Sequence, residues 1–330
     1  MSWSRRDFLA SSTGAAIALS MQPAFAAVNP EAILVSSYGR TTSTLNWAIA
    51  LKKNFFKDEG LSVKQIVPGG GGGASLRNML AANIYYGVVA TAAVVTAARS
   101  GVDLTIVNAT NNSPGDIAVV TAAGRPYKSA KDLKGKKVGY STAKSVTELL
   151  LRMVFEREGM LDQVELVATG GNVGTVIQAL ASGVVDATWM VDPTLTLESA
   201  RFPIVFKTTD YFPRFEWGVG AAPKEVVKQH PDLLRAYIRV QRRSVEYMLA
   251  HQGEALEIYA EVWQKSKDEV EKLLPKFFKD PYYWTNGAFD KEGLEVLSRG
   301  LQLIGEIDKP VDWKSVIDQS FLPDDLKRPL

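Results

Sequence analysis

The segment Ser141-Thr142-Ala143-Lys144 has the spacing most suggestive of covalent chemistry, because it matches the S-x-x-K pattern in which a lysine activates a serine nucleophile. The S-D-N and K-T-G segments that accompany this pattern in penicillin-binding enzymes are missing from the sequence, as is a G-x-S-x-G elbow. Neither His230 nor His251 has a neighbouring Asp or Ser that would indicate a catalytic triad. An exported S-x-x-K serine hydrolase is therefore kept only as an alternative interpretation.

The same segment could instead bind an anion without reacting with it. A capping box, Ser145 to Glu148, predicts the start of a helix that ends near Gly159. Ser141, Thr142 and Ser145 would then surround a helix N-terminus, whose free backbone N–H groups and dipole favour a negatively charged group.

A run of five glycines, Gly69 to Gly73, lies between a predicted strand and a predicted helix. With Ala74 it satisfies the G-x-G-x-x-A dinucleotide fingerprint, but the acidic residue expected after the next strand is missing. We interpret the run, with Gly70 and Gly71 at its centre, as a loop whose backbone can approach a small ligand; a loop without function is the alternative.

Asp192 and several aromatic residues lie near the ends of predicted strands. Pro193 holds Asp192 in an extended conformation, which places its carboxylate at the carboxyl end of a strand, where open α/β sheets bind ligands. The alternative is a structural Asp-Pro turn. Tyr38, Tyr140, Tyr211 and Trp217 could supply an aromatic surface for an organic ligand, as could Trp189 beside Asp192, although single aromatic residues at such positions more often serve packing.

The composition excludes several classes of protein. The 330 residues include no Cys and two His, so cysteine nucleophiles, iron-sulfur clusters and Cys/His zinc sites cannot be built. We expect no metal and no cofactor. The 38 Lys and Arg residues balance 36 Asp and Glu residues and form no basic stripe, so no nucleic-acid partner is expected.

The first 26 residues have the pattern of an export signal. Arg5-Arg6 precedes a weakly apolar run, and Ala24-Phe25-Ala26 fits an Ala-x-Ala cleavage site. The paired arginines indicate the twin-arginine class. We therefore expect cleavage near Ala26 and a periplasmic mature protein.

The elements that position these residues alternate between strand and helix. Strands are predicted at 33–35, 63–67, 84–90, 104–108, 116–121, 137–140, 164–168 and 184–190, with helices at 75–82, 92–99, 145–159 and 175–182 between them. This order predicts α/β architecture with parallel-type sheets. After Pro223 only helices are predicted.

An internal repeat with an offset of 100 residues links the two halves of this region. Gly70-Gly71 aligns with Gly170-Gly171, and each glycine pair precedes a short helix and an apolar strand. The repeat predicts two related α/β lobes, each with a glycine loop at a helix N-terminus.

Four segments together resemble the solute-binding proteins of ABC importers for nitrate, sulfonates, taurine and thiamine-precursor pyrimidines, the NMT1/THI5-like proteins. They are Asp132 to Gly139, Glu148 to Gly159, Ala179 to Ala187, and Asp192-Pro193. The resemblance implies the two-lobed type II periplasmic binding protein fold, with a hinge and a cleft between the lobes. It implies a signal peptide at 1–26, the first part of lobe 1 at 27–115, lobe 2 at 116–214 and the helical second part of lobe 1 at 215–330.

From the resemblance and the motifs we expect a non-enzymatic periplasmic component of an ABC importer, a monomer that delivers its ligand to membrane permease subunits. Its ligand would be a small anionic or zwitterionic solute of the sulfonate, taurine or nitrate kind; a thiamine precursor or aromatic acid is the alternative. Hinges are expected near 113–115 and 215–217. Because the helix at Ser145 favours an anion and Asp192 a cation, a zwitterion would satisfy both. The expected ligand-binding residues are Ser37, Tyr38, Thr41, Gly70, Gly71, Thr91, Ala92, Ser141, Thr142, Ser145, Asn172, Trp189, Asp192 and Trp217.

Overall fold

The computed structural model describes residues 30–143 and 145–330. The expected signal peptide and Lys144 of the S-x-x-K pattern lie outside the described residues. Within these ranges ten strands form two five-stranded sheets. The strands are β1 (Ala32–Ser36), β2 (Gln65–Gly69), β3 (Gly87–Ala90), β4 (Leu104–Asn111), β5 (Ile117–Thr121), β6 (Lys137–Tyr140), β7 (Glu165–Ala168), β8 (Ala187–Val191), β9 (Ile204–Lys207) and β10 (Gly218–Pro223).

Helices connect and cover these strands. They are α1 (Leu45–Lys52), α2 (Phe55–Asp58), α3 (Gly72–Ala81), α4 (Thr91–Arg99), α5 (Val146–Arg157), α6 (Val173–Ala181), α7 (Thr194–Leu197), α8 (Lys224–Gln229), α9 (Pro231–Ala250), α10 (Gln252–Trp263), α11 (Lys267–Leu273), α12 (Pro275–Phe278), α13 (Lys291–Leu303) and α14 (Trp313–Val316). None of the helices in the described ranges combines the length and apolar character that a bilayer crossing requires.

The two sheets have the same strand arrangement. The first sheet has the order β2-β1-β3-β10-β4 and the second has β7-β6-β8-β5-β9. In each, three parallel strands are followed by one antiparallel strand, β10 or β5. The predicted relation between the two halves is therefore confirmed. The prediction of parallel-type sheets is wrong at β10 and β5, because both strands enter their sheet from a segment that has just crossed from the other one.

Strand β10 consists of small residues because a buried polar cluster packs against it. A side-chain carbon on Gly220 would lie 2.1 Å from Asn108 Oδ1 and 2.2 Å from the Tyr86 hydroxyl. Tyr86 donates a 3.0 Å hydrogen bond to Asn108, whose amide donates a 2.7 Å hydrogen bond to Gln241 on α9. Only glycine at position 220 lets β10 approach this cluster, so β10 has a single β-branched residue, Val219, and none of the aromatic residues that help to identify strands in a sequence.

Two segments, 112–116 and 208–217, carry the chain from one sheet to the other. They are bonded to each other: the Thr208 hydroxyl lies 3.0 Å from the Pro114 carbonyl oxygen and 2.7 Å from that of Ile117. Phe215 N–H donates to the Asn112 carbonyl at 2.9 Å. The segments at which hinges were expected are therefore the connections between the sheets.

The helices after β10 pack mainly against elements of the first sheet's side. Amphipathic α9 packs against α1 and α2 and buries Leu234, Ile238 and Val245. Two contacts reach the second sheet, because α11 packs against α7 and α13 packs against α5. The α5–α13 contact is close: a side-chain carbon on Gly300 would lie 2.7 Å from both Leu149 Cδ2 and Met153 Sδ.

The helix starts predicted at 145 and 175 had different outcomes. The Ser145 hydroxyl accepts a hydrogen bond from Glu148 N–H at 3.3 Å, so the predicted start of α5 is confirmed. The predicted start of α6 at Thr175 is wrong. Asn172 caps that helix by accepting the Gly174 N–H at 2.7 Å, while the Thr175 hydroxyl donates back to the Asn172 carbonyl.

Candidate functional site

The carboxyl ends of the parallel strands in both sheets meet at one interface. The loops after β1, β2, β3 and β4 approach it from the first sheet, and those after β6, β7 and β8 from the second. The segments that precede β5 and β10 enter at the same edge, because these two strands are antiparallel. Val146 and Val191, which belong to the second sheet's side, pack against the core of the first. The start of α5 and the end of β8 therefore reach the first sheet.

Buried polar atoms without a hydrogen-bond partner concentrate at this interface. Buried polar groups are paired in the great majority of cases, so such a concentration needs an explanation. Among the described residues, those at strand ends or in the connecting segments are Ser36 Oγ, Thr91 Oγ1, Thr110 Oγ1, Asn112 Oδ1, both carboxylate oxygens of Asp116, Glu216 Oε1 and Trp217 Nε1; Trp263 Nε1 and Tyr283 OH come from the helical C-terminal part.

The C-terminal helices contribute an aromatic wall that the sequence analysis missed. Trp263, at the end of α10, stacks on Tyr259 with ring centroids 4.3 Å apart, and lies 6.1 Å from Tyr38. The Tyr259 hydroxyl lies 3.3 Å from the Thr42 hydroxyl, in the loop after β1. Tyr259 and Trp263 are one helical turn apart in α10, and this spacing is visible in the sequence. Nothing in the sequence indicates that this turn packs beside Tyr38.

Asp192 has no exposed surface and already has strong partners. Lys276 Nζ of α12 lies 2.6 Å from one carboxylate oxygen, and the Thr196 N–H donates to the other at 3.0 Å. The Asp192–Pro193 peptide bond is cis. The carboxylate thus lies at the strand end, as predicted from Pro193, and is held there by an ion pair with the helical C-terminal part. Lys276 was not identified from the sequence.

Asp116, one residue before β5, is the second buried acid. Its carbonyl oxygen accepts the Asp192 N–H at 3.0 Å, so the two acids are backbone neighbours. Burial, and after it the nearby Asp192 carboxylate, raise the pKa of its carboxyl group, whereas Tyr283, the Asp116 backbone N–H and Lys276 lower it, and the resulting pKa is about 7. The Tyr283 hydroxyl faces Asp116 outside ordinary hydrogen-bond geometry, and the same environment raises the pKa of that hydroxyl well above its usual range.

The start of α5 forms a group of hydroxyls. Thr147 Oγ1 accepts the Ser141 N–H at 2.9 Å and lies 2.8 Å from Ser141 Oγ and 3.0 Å from Ser145 Oγ. Thr142 is exposed. In the part of the chain that the structure describes, both histidines lie elsewhere: His230 is beside Tyr85, and His251 stacks on Tyr247.

The remaining predicted residues are placed as follows. Ser37 has a left-handed backbone, and its N–H donates to the Gly69 carbonyl at 3.3 Å, which joins the loop after β1 to the glycine loop. In that loop Gly70 is exposed, and the Gly71 N–H donates to the Ser75 hydroxyl at 2.9 Å. Thr41 lies 3.1 Å from the Ser43 hydroxyl.

Three of the four remaining positions adjoin this edge, and one lies within a strand. Thr91 and Ala92 begin α4, and the Thr91 N–H donates to the Trp217 carbonyl at 3.1 Å, so these residues are brought together. Asn172 is exposed and acts as the cap of α6. Trp189 lies within β8 rather than at its end, and it is buried with Nε1 unpartnered.

No cluster of three or more His, Cys, Asp or Glu residues that could hold a metal ion occurs at 30–143 or 145–330. The two buried acids, Asp116 and Asp192, have Lys276 rather than a third acid beside them.

Comparison with known proteins gives a consistent picture. The family model described as "NMT1/THI5 like" matches residues 42–255. A candidate binding protein of Brucella abortus (strain 2308) is 25% identical over 272 residues, 81% of each chain. A candidate aliphatic sulfonates-binding protein of Bacillus subtilis (strain 168) is 24% identical over 286 residues, 83% of this chain and 82% of that one.

Solved structures show the fold. The periplasmic aliphatic sulphonate binding protein SsuA of Escherichia coli superimposes with a TM-score of 0.72 at 17% identity, covering 88% of this chain and 93% of that one. The chain therefore has the periplasmic binding protein fold. The desulfurization enzyme DszB shares it, with a TM-score of 0.65 at 15% identity over 88% of this chain and 97% of that one. A second DszB structure is of a cysteine-to-serine mutant, and the present chain has no cysteine.

Proposed function

Because the chain belongs to the NMT1/THI5-like family, we propose that it is the periplasmic substrate-binding component of an ABC importer. It captures a small anionic or zwitterionic organic solute, of the sulfonate or taurine kind, between two lobes built on the two sheets. It then presents the solute to membrane permease subunits. The bound solute leaves unchanged.

The observation that carries this proposal is the set of unpartnered buried polar atoms at the interface between the sheets. An indole N–H or a tyrosine hydroxyl that is buried without a partner costs about 1–3 kcal/mol. Trp217 and Trp263 both present such an N–H group, on segments distant in the sequence, whereas the Tyr283 hydroxyl faces Asp116. A ligand with several acceptor oxygens, such as a sulfonate or carboxylate, would satisfy these groups together.

The surroundings of these donors favour an organic anion over a bare inorganic one. Tyr38, Tyr259 and Trp263 form an aromatic wall that suits an apolar body. The helices α3, α4 and α5 all begin at this interface, and their N-termini favour negative charge. The head group and body of one ligand would be recognised by different parts of the site.

The connections between the sheets support a closing motion. Two crossing segments that hydrogen-bond to each other, as Thr208 does to Pro114, form a narrow hinge about which the lobes can rotate. We expect small-angle scattering of the mature chain to show a smaller radius of gyration in saturating ligand. An unchanged radius would count against capture by closure.

The ligand class is tested by calorimetry on the mature chain with alkane sulfonates, taurine, nitrate, aromatic acids and aminopyrimidines. Trp217→Phe and Trp263→Phe keep the ring and remove the N–H, so each should weaken the best ligand about 2- to 12-fold, the equivalent of one hydrogen bond. Trp47→Phe, deep in the first core, is the matched control and should leave affinity unchanged. Failure of every compound to bind, or equal effects of all three substitutions, would contradict the proposal.

The hydrolase interpretation makes a different prediction at Ser141. In an enzyme, Ser141→Ala would abolish covalent labelling by β-lactams or activated esters, whereas in a binding protein it weakens reversible binding at most. The Ser141 hydroxyl lies 2.8 Å from Thr147, a residue that cannot act as a base. We expect mass spectrometry to detect no acyl-enzyme; its detection would overturn the proposed function.

A further inference from the structure

The carboxylate of Asp116 is buried at the interface between the sheets, and neither oxygen has a hydrogen bond of ordinary geometry, although the Tyr283 hydroxyl faces it and lowers its pKa. It is the last residue of the first crossing segment and lies among groups from both sides: Asp192 from the second sheet, and Tyr283 and Lys276 from the helical C-terminal part. Tyr259 is also close enough for both acids to raise the pKa of its hydroxyl. A rotation about the crossing segments would therefore change what Asp116 faces.

The charges at this point do not balance. Lys276 and the Thr196 N–H serve the carboxylate of Asp192, so that acid is satisfied within the protein. Lys276 also acts on Asp116, but no hydrogen bond joins the two. In the described part of the chain one ammonium group thus stands against two buried carboxylates. A buried carboxylate needs a proton, a cation or several N–H donors.

We infer that Asp116 is the residue that recognises a protonated amine on the captured solute, so that the substrate class is an amino-substituted anion. This inference rests on the proposed function and makes its ligand class narrower. The sequence analysis had assigned recognition of a cation to Asp192. Because Asp192 already forms an ion pair with Lys276, we assign that recognition to Asp116 instead. The anionic end of the same solute would be bound by the Trp217 and Trp263 N–H groups.

A proton is the natural competitor for the amine. With the pKa of Asp116 at about 7, about half of the molecules hold the proton at pH 7. An ammonium group that takes its place favours the ionised carboxylate, so binding should release a proton. The release should amount to about 0.5 proton per ligand at pH 7, and it should vanish for a ligand without an amine.

The test uses pairs of ligands that differ only in the amine: ethanesulfonate and taurine, propanoate and β-alanine, toluenesulfonate and aminomethylbenzenesulfonate. Calorimetry of the mature chain in phosphate and in Tris gives both the affinity and the protons released. The variants are Asp116→Asn, which keeps the shape of the side chain, and Asp162→Asn, an exposed acid that serves as control. Thermal unfolding checks that both variants fold.

We expect wild type and Asp162→Asn to bind the amine-bearing member of a pair at least about 10-fold more tightly, with proton release. Asp116→Asn should lose about 10- to 100-fold for that member only, with no proton release. Binding without preference for the amine, or equal loss for both members, would overturn the inference and leave the proposed function standing. If no member of any ligand pair binds, both the inference and the proposed function are contradicted. If Asp116→Asn does not fold, the preference of the wild-type protein for the amine-bearing ligand and its proton release still test the inference.

Discussion

Lys276→Met should destabilise the protein because it leaves Asp192 charged, buried and beside Asp116. Breaking a fully buried ion pair costs about 3–5 kcal/mol, whereas exposed pairs contribute about 0–1 kcal/mol. Asp192 has no exposed surface and the Lys276 side chain is 44% exposed, so we place the cost between these limits, at about 2–3 kcal/mol. At about 2.1 cal/mol/K of unfolding entropy per residue, this corresponds to a melting temperature lower by about 3–5 °C.

The assay is thermal unfolding of the mature chain in a double-mutant cycle with Asp192→Asn. If the pair interacts as the 2.6 Å contact indicates, the double variant should be more stable than the sum of the two single losses predicts, by about 1–3 kcal/mol. Lys279→Met, an exposed lysine on the same stretch, should shift stability by no more than about 0.5 kcal/mol. Additive losses, or a Lys276 variant as stable as the Lys279 control, would refute the reasoning.

Three further predictions concern the scaffold. Gly139→Ala would place a carbon 2.4 Å from Thr188 Oγ1 and should lower the free energy of unfolding, measured with denaturant, by about 1–3 kcal/mol. Gly171→Ala, with open space around it, should leave that free energy nearly unchanged; equal losses would contradict the packing argument. Thr208→Val removes the bond between the crossing segments and should cost about 1–2 kcal/mol, measured in the same way against wild type, and no loss would mean that the crossings are held together otherwise. Burial raises the pKa of Glu216 well above its ordinary value of 4.5, so the folded protein keeps a proton that the unfolded chain releases, and the stability of the wild type falls as the pH rises above 4.5. Glu216→Gln has no such proton to lose, so its melting-temperature advantage over the wild type should grow from pH 5 to pH 8. A constant difference would count against a protonated Glu216.

The sequence predicted those parts of the fold that depend on local signals. The cap at Ser145 and the glycine that ends α5 are read directly from neighbouring residues, and the start of this helix was correct. The start of α6 was misplaced because Asn172 and Thr175 are both good cap residues, and local preference does not choose between them. Strand β10 was not predicted, since its small residues are required by the Tyr86 cluster rather than by strand preference.

The candidate site was predicted only on one side. Loops at strand ends, such as those at Ser37 and Ser141, could be found because topology places the carboxyl ends of parallel strands together. Tyr259, Trp263 and Lys276 lie in helices far along the chain, and only tertiary packing brings them to those loops. Asp116 was read as part of a strand because burial without a partner, its informative property, is not visible in a sequence.

The close contact of α5 and α13 at Gly300 links the start of the ligand site to a distant surface. Leu149 and Met153 pack directly against the backbone of α13 there, so the proposed rotation about the crossings would require the two helices to slide past each other, a shear motion. Since α5 begins at Ser145, a displacement there is passed along the helix to α13. The chain contains no cysteine, so one cysteine introduced on the exposed face of α13, at Glu295 for example, would be its sole thiol. We expect a dye attached there to report the proposed closure as a fluorescence change, at a position away from the candidate site.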